Sequence, residues 1–196
     1  MQITGHITPD SLMSLEAYAT WRKDHQPAMR AHRRLRSVAL GEHVYVQFES
    51  ETTIRYQIQE MLRIEKVFEE QGIAQEIAAY LPLVPTGTHW KGTLMLAYPD
   101  VHERERALAR LMGFEDHVFV QVQGQSRVYA TVDEDLDRDS SHKTSAVHFV
   151  RFELTHLMRA AVKAGAAVAL GCDHPYYTAQ TLIAPDTLAS LATDLH

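Results

Sequence analysis

Three stretches of this chain set acids and imidazoles into otherwise apolar patterns, and these are the residues whose types and spacing could do chemistry. The first is YQIQEMLRIEKVFEE, residues 56–70. Wound as a helix at about 100° per residue, it puts Ile54, Ile58, Met61, Leu62 and Phe68 on one stripe with Glu65 in the middle, and Glu60 on the opposite side beside Arg63 and Tyr56. A carboxylate on an apolar stripe must reach the rim, pair with an arginine, or face a cavity where burial or a bound cation sets its charge.

The second stretch is HKTSAVHFVRFEL, residues 142–154. As a strand it sends Ala146, His148, Val150, Phe152 and Leu154 one way, and Val147, Phe149, Arg151 and Glu153 the other. Both faces are largely apolar, so the expectation is a central strand covered on both sides, with each polar group finding a partner. For His148 that partner is a backbone carbonyl or a metal; for Arg151 it is Glu153, Glu65 or an anion.

The third is GCDHPYY, residues 171–177. Asp173 and Pro175 are ordinary turn formers, whereas His174 is not required by turn chemistry. Asp173 could orient a catalytic imidazole, or the pair could simply close a turn. Cys172 beside it would need a base and a depressed pKa to act as a nucleophile; otherwise it is a small apolar strand residue. Glu65, His148, Glu153 and His174 together make an imidazole and carboxylate set suited to a divalent ion. No Gly-rich phosphate loop, HExxH, GxSxG or CxxC motif accompanies them.

The elements that must position these residues are legible in outline. TPD at residues 8–10 reads as a helix start, with Leu12, Leu15 and Tyr18 facing inward. A second helical stretch, Trp21 to Arg36, is expected to break at Pro27; its basic run of Arg30, His32, Arg33, Arg34 and Arg36 is a solvated face or an anion site. Two strands flank Gly41-Glu42. A helix then runs from Glu51 to Gln71 with Gly72 as its stop, and IAQEIAAYL forms a shorter one.

The remainder reads as a degenerate duplication. Residues 91–133 and 145–186 each spell strand, helix, strand, turn, strand, with Gly113 and Gly165 closing the two helices. The acidic DEDLDRDSSHK between them is a loop, and APDTLASLATDLH restarts a helix. The expected fold class is α+β: two β-α-β-β units forming antiparallel or mixed sheets, with an N-terminal helical layer and a β-hairpin. The expected organisation is a single domain over 1–196, with helices and hairpin in 1–90 followed by the two units.

Composition limits the function classes. With 19 Lys+Arg against 25 Asp+Glu and a net charge of -6, the chain is not built primarily to grip nucleic acid or an anionic membrane. The lone Cys172 cannot form an internal disulfide or hold a cluster, so any iron–sulfur centre must belong to a partner. No apolar run reaches the roughly 18 residues of a membrane span, and the expected location is cytoplasmic. Twelve histidines raise the expectation of a metal or acid–base site.

The same three stretches, with SLEAY near the start, resemble the bacterial family of unknown function DUF3501 from about residue 8 to 195. Its motif positions here are Gln57, Gln59, Glu60, Arg63, Glu65, Lys143, His148, Arg151, Glu153, Asp173 and His174; a cysteine at 172 is not general in that motif. The resemblance carries no established activity. It implies association with rubrerythrin-like proteins and with iron–sulfur oxidoreductases of the heterodisulfide-reductase type.

The functional expectation is therefore a non-catalytic accessory to such redox or oxidative-stress systems. Its polar centre would be Glu60, Arg63, Glu65, His148, Arg151, Glu153, Asp173 and His174. The alternative is a metal-dependent enzyme or metal-binding protein using a divalent ion at Glu65, His148, Glu153 and His174. A homo-oligomeric state is compatible with either.

Overall fold

A computed structural model of the protein describes residues 7–132 and 143–196. The chain divides into two compact units, residues 1–34 with 49–84, and residues 35–48 with 85–196. The acidic stretch 133–142 lies outside the described residues.

The first unit is helical: α1 (Leu15–Leu35), α2 (Glu51–Glu65) and α3 (Glu70–Tyr80). The TPD motif closes only one 3-10 turn, Pro9–Ser11, because Leu12 is already extended at ψ 154°. The helix proper starts after Ser14, whose hydroxyl accepts the Ala17 N–H at 3.2 Å. Pro27 does not break α1, contrary to the sequence expectation. A proline deletes one hydrogen bond, and burial of Tyr18 and Met29 on either side of it supplies packing that propensity alone does not.

Helix α2 begins at Ser50, which accepts from Thr53 N–H while the Thr53 hydroxyl accepts from Ser50 N–H. It ends six residues earlier than the sequence suggests. Lys66 turns left-handed at φ 55°, and both Lys66 and Val67 N–H groups return to the Leu62 carbonyl, a glycine-like cap made without glycine. Gly72 therefore stops nothing and lies inside α3. It is small because a Cβ there would meet Val67 Cγ1 at 2.6 Å.

The second unit holds nine strands and three helices among the described residues. One sheet has the order β1 (Ser37–Leu40), β2 (Val44–Phe48), β3 (His89–Leu96), β7 (Val147–Glu153), β6 (Thr131–Val132). The other runs β5 (Arg127–Tyr129), β4 (Val118–Val122), β8 (Val168–His174), β9 (Tyr177–Leu182). Every pairing is antiparallel. The β1–β2 hairpin, grouped above with the N-terminal helices, belongs to this unit through its pairing with β3.

The duplication is real in topology: β3, α4 (Val101–Arg110), β4, β5 and β7, α5 (His156–Lys163), β8, β9. Its two copies interleave. The first strands pair with one another, Gly92 opposite Val150, and the second strands likewise, Val120 opposite Leu170. The buried faces of both sheets join in one apolar core. Phe48, Trp90 and Phe152 meet there with ring centroids 6.0 and 6.1 Å apart from Phe48, each burial stabilising by roughly 2–3 kcal/mol.

The C-terminal helix α6 (Pro185–Ala192) closes that core. Trp90 Nε1 donates to the Leu191 carbonyl at 3.0 Å. Arg36, 1% exposed, donates to the Phe48 carbonyl, to the carbonyl and hydroxyl of Ser190, and to the Asp194 carboxylate. The last arginine of the basic run is thus a buried staple.

Candidate functional site

The polar motif residues occupy several neighbourhoods. Glu65 is exposed at the last position of α2. The apolar stripe of that helix ends at buried Leu62, and Phe68, placed on the stripe by extrapolation, lies beyond the helix and is 74% exposed. The acid faces water because the helix ends at it, one turn beyond the last buried residue of the stripe, Leu62. No counter-ion is required.

Glu60 is the real carboxylate centre of the first unit. It accepts from the Tyr18 hydroxyl at 2.7 Å and from Arg22 Nε at 2.6 Å, and Arg63 reaches it from one turn along at 3.2 Å. Burial would raise its pKa, but the bonds from Arg22, Tyr18 and Arg63 outweigh this and hold it near 2. Beside it Gln59 exchanges two hydrogen bonds with the Met13 backbone, at 2.8 and 3.3 Å.

On β7 the alternation is as expected, with His148, Val150 and Phe152 buried, but the other face is not covered along its length. Arg151 and Glu153 are about half exposed and pair loosely, Nε to Oε2 3.8 Å. His148 is buried, and its Nε2 lies 2.9 Å from the Ser145 carbonyl and 3.1 Å from the Thr144 hydroxyl. That hydroxyl donates to Glu115 Oε2 at 3.3 Å, and Glu115 stands 3.7 Å from His148. Glu153 faces His89, whose Nδ1 is 3.7 Å away. Among the described residues His89 Nε2 is buried without a hydrogen-bond partner, and burial pushes this imidazole's pKa down.

The DHPYY stretch closes the β8–β9 hairpin. Asp173 accepts from the Tyr129 hydroxyl at 2.7 Å and from Arg127 at 2.8 Å, with His117 Nδ1 at 3.1 Å. The Tyr129 hydrogen bond leads in holding its carboxyl below the usual range, helped by His117 and Arg127. His174 is buried directly beneath. Its Nδ1 accepts the Tyr176 N–H at 3.2 Å and its Nε2 stands 3.2 Å from the Met112 carbonyl, which together specify a ring protonated at Nε2.

His174 therefore ties the hairpin to the chain leaving α4. Phe114 and His117 pack around it with centroids 6.0 and 5.1 Å away.

The proposed metal set does not assemble. His148, Glu153 and His174 keep separate partners, Glu65 is solvated, and among the described residues no three His, Cys, Asp or Glu side chains form a metal-sized group. Sequence reading missed Glu115, His117, Arg127 and Tyr129. The repeat held the signal for His117: antiparallel pairing of Val118 with Cys172 puts His117 opposite Asp173. Cys172 is buried, and burial pushes its thiol up to about 11.

No helix among the described residues is long and apolar enough to cross a membrane. No curated protein matches the chain. A crystal structure titled as a novel protein of unknown function from Burkholderia pseudomallei K96243 is 53% identical, covers 98% of this chain and 100% of its own, and superposes with a TM-score of 0.92. With residues 6–195 matching the protein family of unknown function DUF3501, the chain belongs to that family.

Proposed function

We propose that the protein is a non-catalytic accessory that acts by binding a redox partner of the rubrerythrin-like or iron–sulfur oxidoreductase class. What supports the non-catalytic part is one observation: three of its motif residues, Glu60, Asp173 and His174, are engaged by the protein's own groups. Glu60 takes three donors, Asp173 takes three neighbours, and His174 uses both ring nitrogens. Groups so engaged hold structure, and substrate would have to displace them.

The Cys172 thiol is kept protonated by burial, which disfavours a thiolate mechanism. The partner class rests on the family resemblance and on a chain whose single cysteine cannot hold a cluster of its own. The metal-enzyme alternative is not carried forward, since its four residues do not converge.

Equilibrium binding of the purified chain to a purified rubrerythrin-like protein and to an iron–sulfur subunit of the heterodisulfide-reductase type tests this reading, each partner oxidised and reduced. Saturable micromolar binding to either is the expected result. Binding to neither, or substrate turnover by this chain alone, overturns it.

A further inference from the structure

We propose that a pocket between α4 and the β8–β9 hairpin binds a small organic oxyanion, a phosphate or carboxylate compound, through Arg106 and Arg110. The pocket measures about 450 Å³ and is lined by Tyr98, Glu103, Arg106, Ala107, Arg110 and Tyr176, a size that suits a small metabolite. It lies wholly within the second unit. Of its residues only Tyr176 touches a network described above, through its backbone N–H on His174 Nδ1.

Glu103, Arg106, Ala107 and Arg110 stand three, four and seven residues along one face of α4. Arg106 makes no hydrogen bond or ion pair among the described residues, and Arg110 makes only a stacking contact, its guanidinium 4.5 Å from the Tyr176 ring centroid. Like charges four residues apart on a helix repel, and an anion held between them relieves that repulsion. Their neighbour Arg104 is engaged elsewhere, donating to the Tyr98 carbonyl at 3.2 Å. Guanidinium forks match the oxygens of phosphate and carboxylate alike.

Tyr98 adds a neutral donor to the two cations. Its side chain is more than nine-tenths buried and stacked on His43 at 4.2 Å, yet its hydroxyl has no hydrogen-bond partner among the described residues. It lines the pocket, where a bound oxyanion would accept from it. Burial raises its pKa, so the proton needed for donation stays in place.

Glu103 fixes the ligand's orientation. Its carboxylate at the other end of the stripe repels an anion, so the oxyanion goes to the Arg106 and Arg110 end and a donor or ammonium group faces Glu103. His174 acts as a positioning residue, since it joins the hairpin that carries Tyr176 to the segment following α4.

The test is a titration of the isotopically labelled full chain, followed by NMR, with inorganic phosphate against chloride at matched ionic strength. Saturable shifts confined to Tyr98, Arg106, Arg110 and Tyr176 are expected, and an Arg106→Ala, Arg110→Ala double variant should bind about tenfold more weakly. Both side chains are exposed, so the variant should fold; its amide spectrum checks this. Phosphoethanolamine and glutarate then separate the head groups: tighter binding of the first identifies a phosphate with an ammonium at Glu103, tighter binding of the second a carboxylate. Equal response to chloride, or undiminished binding by the folded double variant, overturns the proposal.

Discussion

Glu60 and Glu65 sit five positions apart on one helix and have opposite fates, which shows what decides a carboxylate's role. Glu60 is held near a pKa of 2 by Arg22, Tyr18 and Arg63, against the opposing effect of burial. A folded-state pKa below the ordinary value of about 4.5 means that its stabilisation is present above that pH and is lost as pH falls toward 2. Melting temperatures of wild type between pH 5 and 2 should therefore fall more steeply than those of Glu60→Gln, which at pH 7 should be less stable by about 1 kcal/mol. Parallel curves for the two proteins would contradict this.

Cys172 gives a second residue-scale expectation. With its thiol pushed up to about 11, it should react with a disulfide reagent at pH 7.5 only after denaturation, which a colorimetric thiol assay in and out of denaturant checks. Glu65 takes the rim position, the first of the alternatives its place on the stripe allowed, whereas Phe68 was assigned to the stripe by extrapolating the helical angle past a terminus set by Lys66, a residue type that carries no stop signal.

At the level of elements, what sequence could reveal was the order of the pieces, and what it could not was their partners. Alternation and turn residues located the β-α-β-β repeats, with Gly113 and Gly165 near each helix end in left-handed backbone at φ 72° and 89°. Which strand lies beside which depends on the interleaving of the two copies. That is a long-range choice, so neither His117 beside Asp173 nor Glu115 beside His148 could be read without it.

The same limit hid Arg36. Within a basic run it looked like a surface charge, but it is the buried link between the β1 segment and the α6 region through Phe48, Ser190 and Asp194. Arg36→Ala leaves Asp194 buried without its cation, and breaking such a pair costs roughly 3–5 kcal/mol. A thermal melt should show a drop of many degrees. An unchanged melting temperature would mean that water satisfies the site.

For the molecule as a whole, charge and its distribution decide what the surface attracts. The net charge is -6, and the one concentrated basic run is partly absorbed by the fold. Arg36 is buried, and His32 Nε2 lies 3.1 Å from the Ser50 hydroxyl. Arg30 and Arg34 remain exposed near the C-terminal end of α1, where cations complement the helix dipole. Two exposed arginines cannot neutralise the six or more phosphates typical of a nucleic-acid interface at physiological salt. Retention of single- or double-stranded DNA or RNA in a gel-shift assay should accordingly be undetectable at about 0.15 M salt, and Arg30→Ala, Arg34→Ala should leave the result unchanged. Tight retention that weakens steeply with salt would instead assign the run to a polyanionic partner.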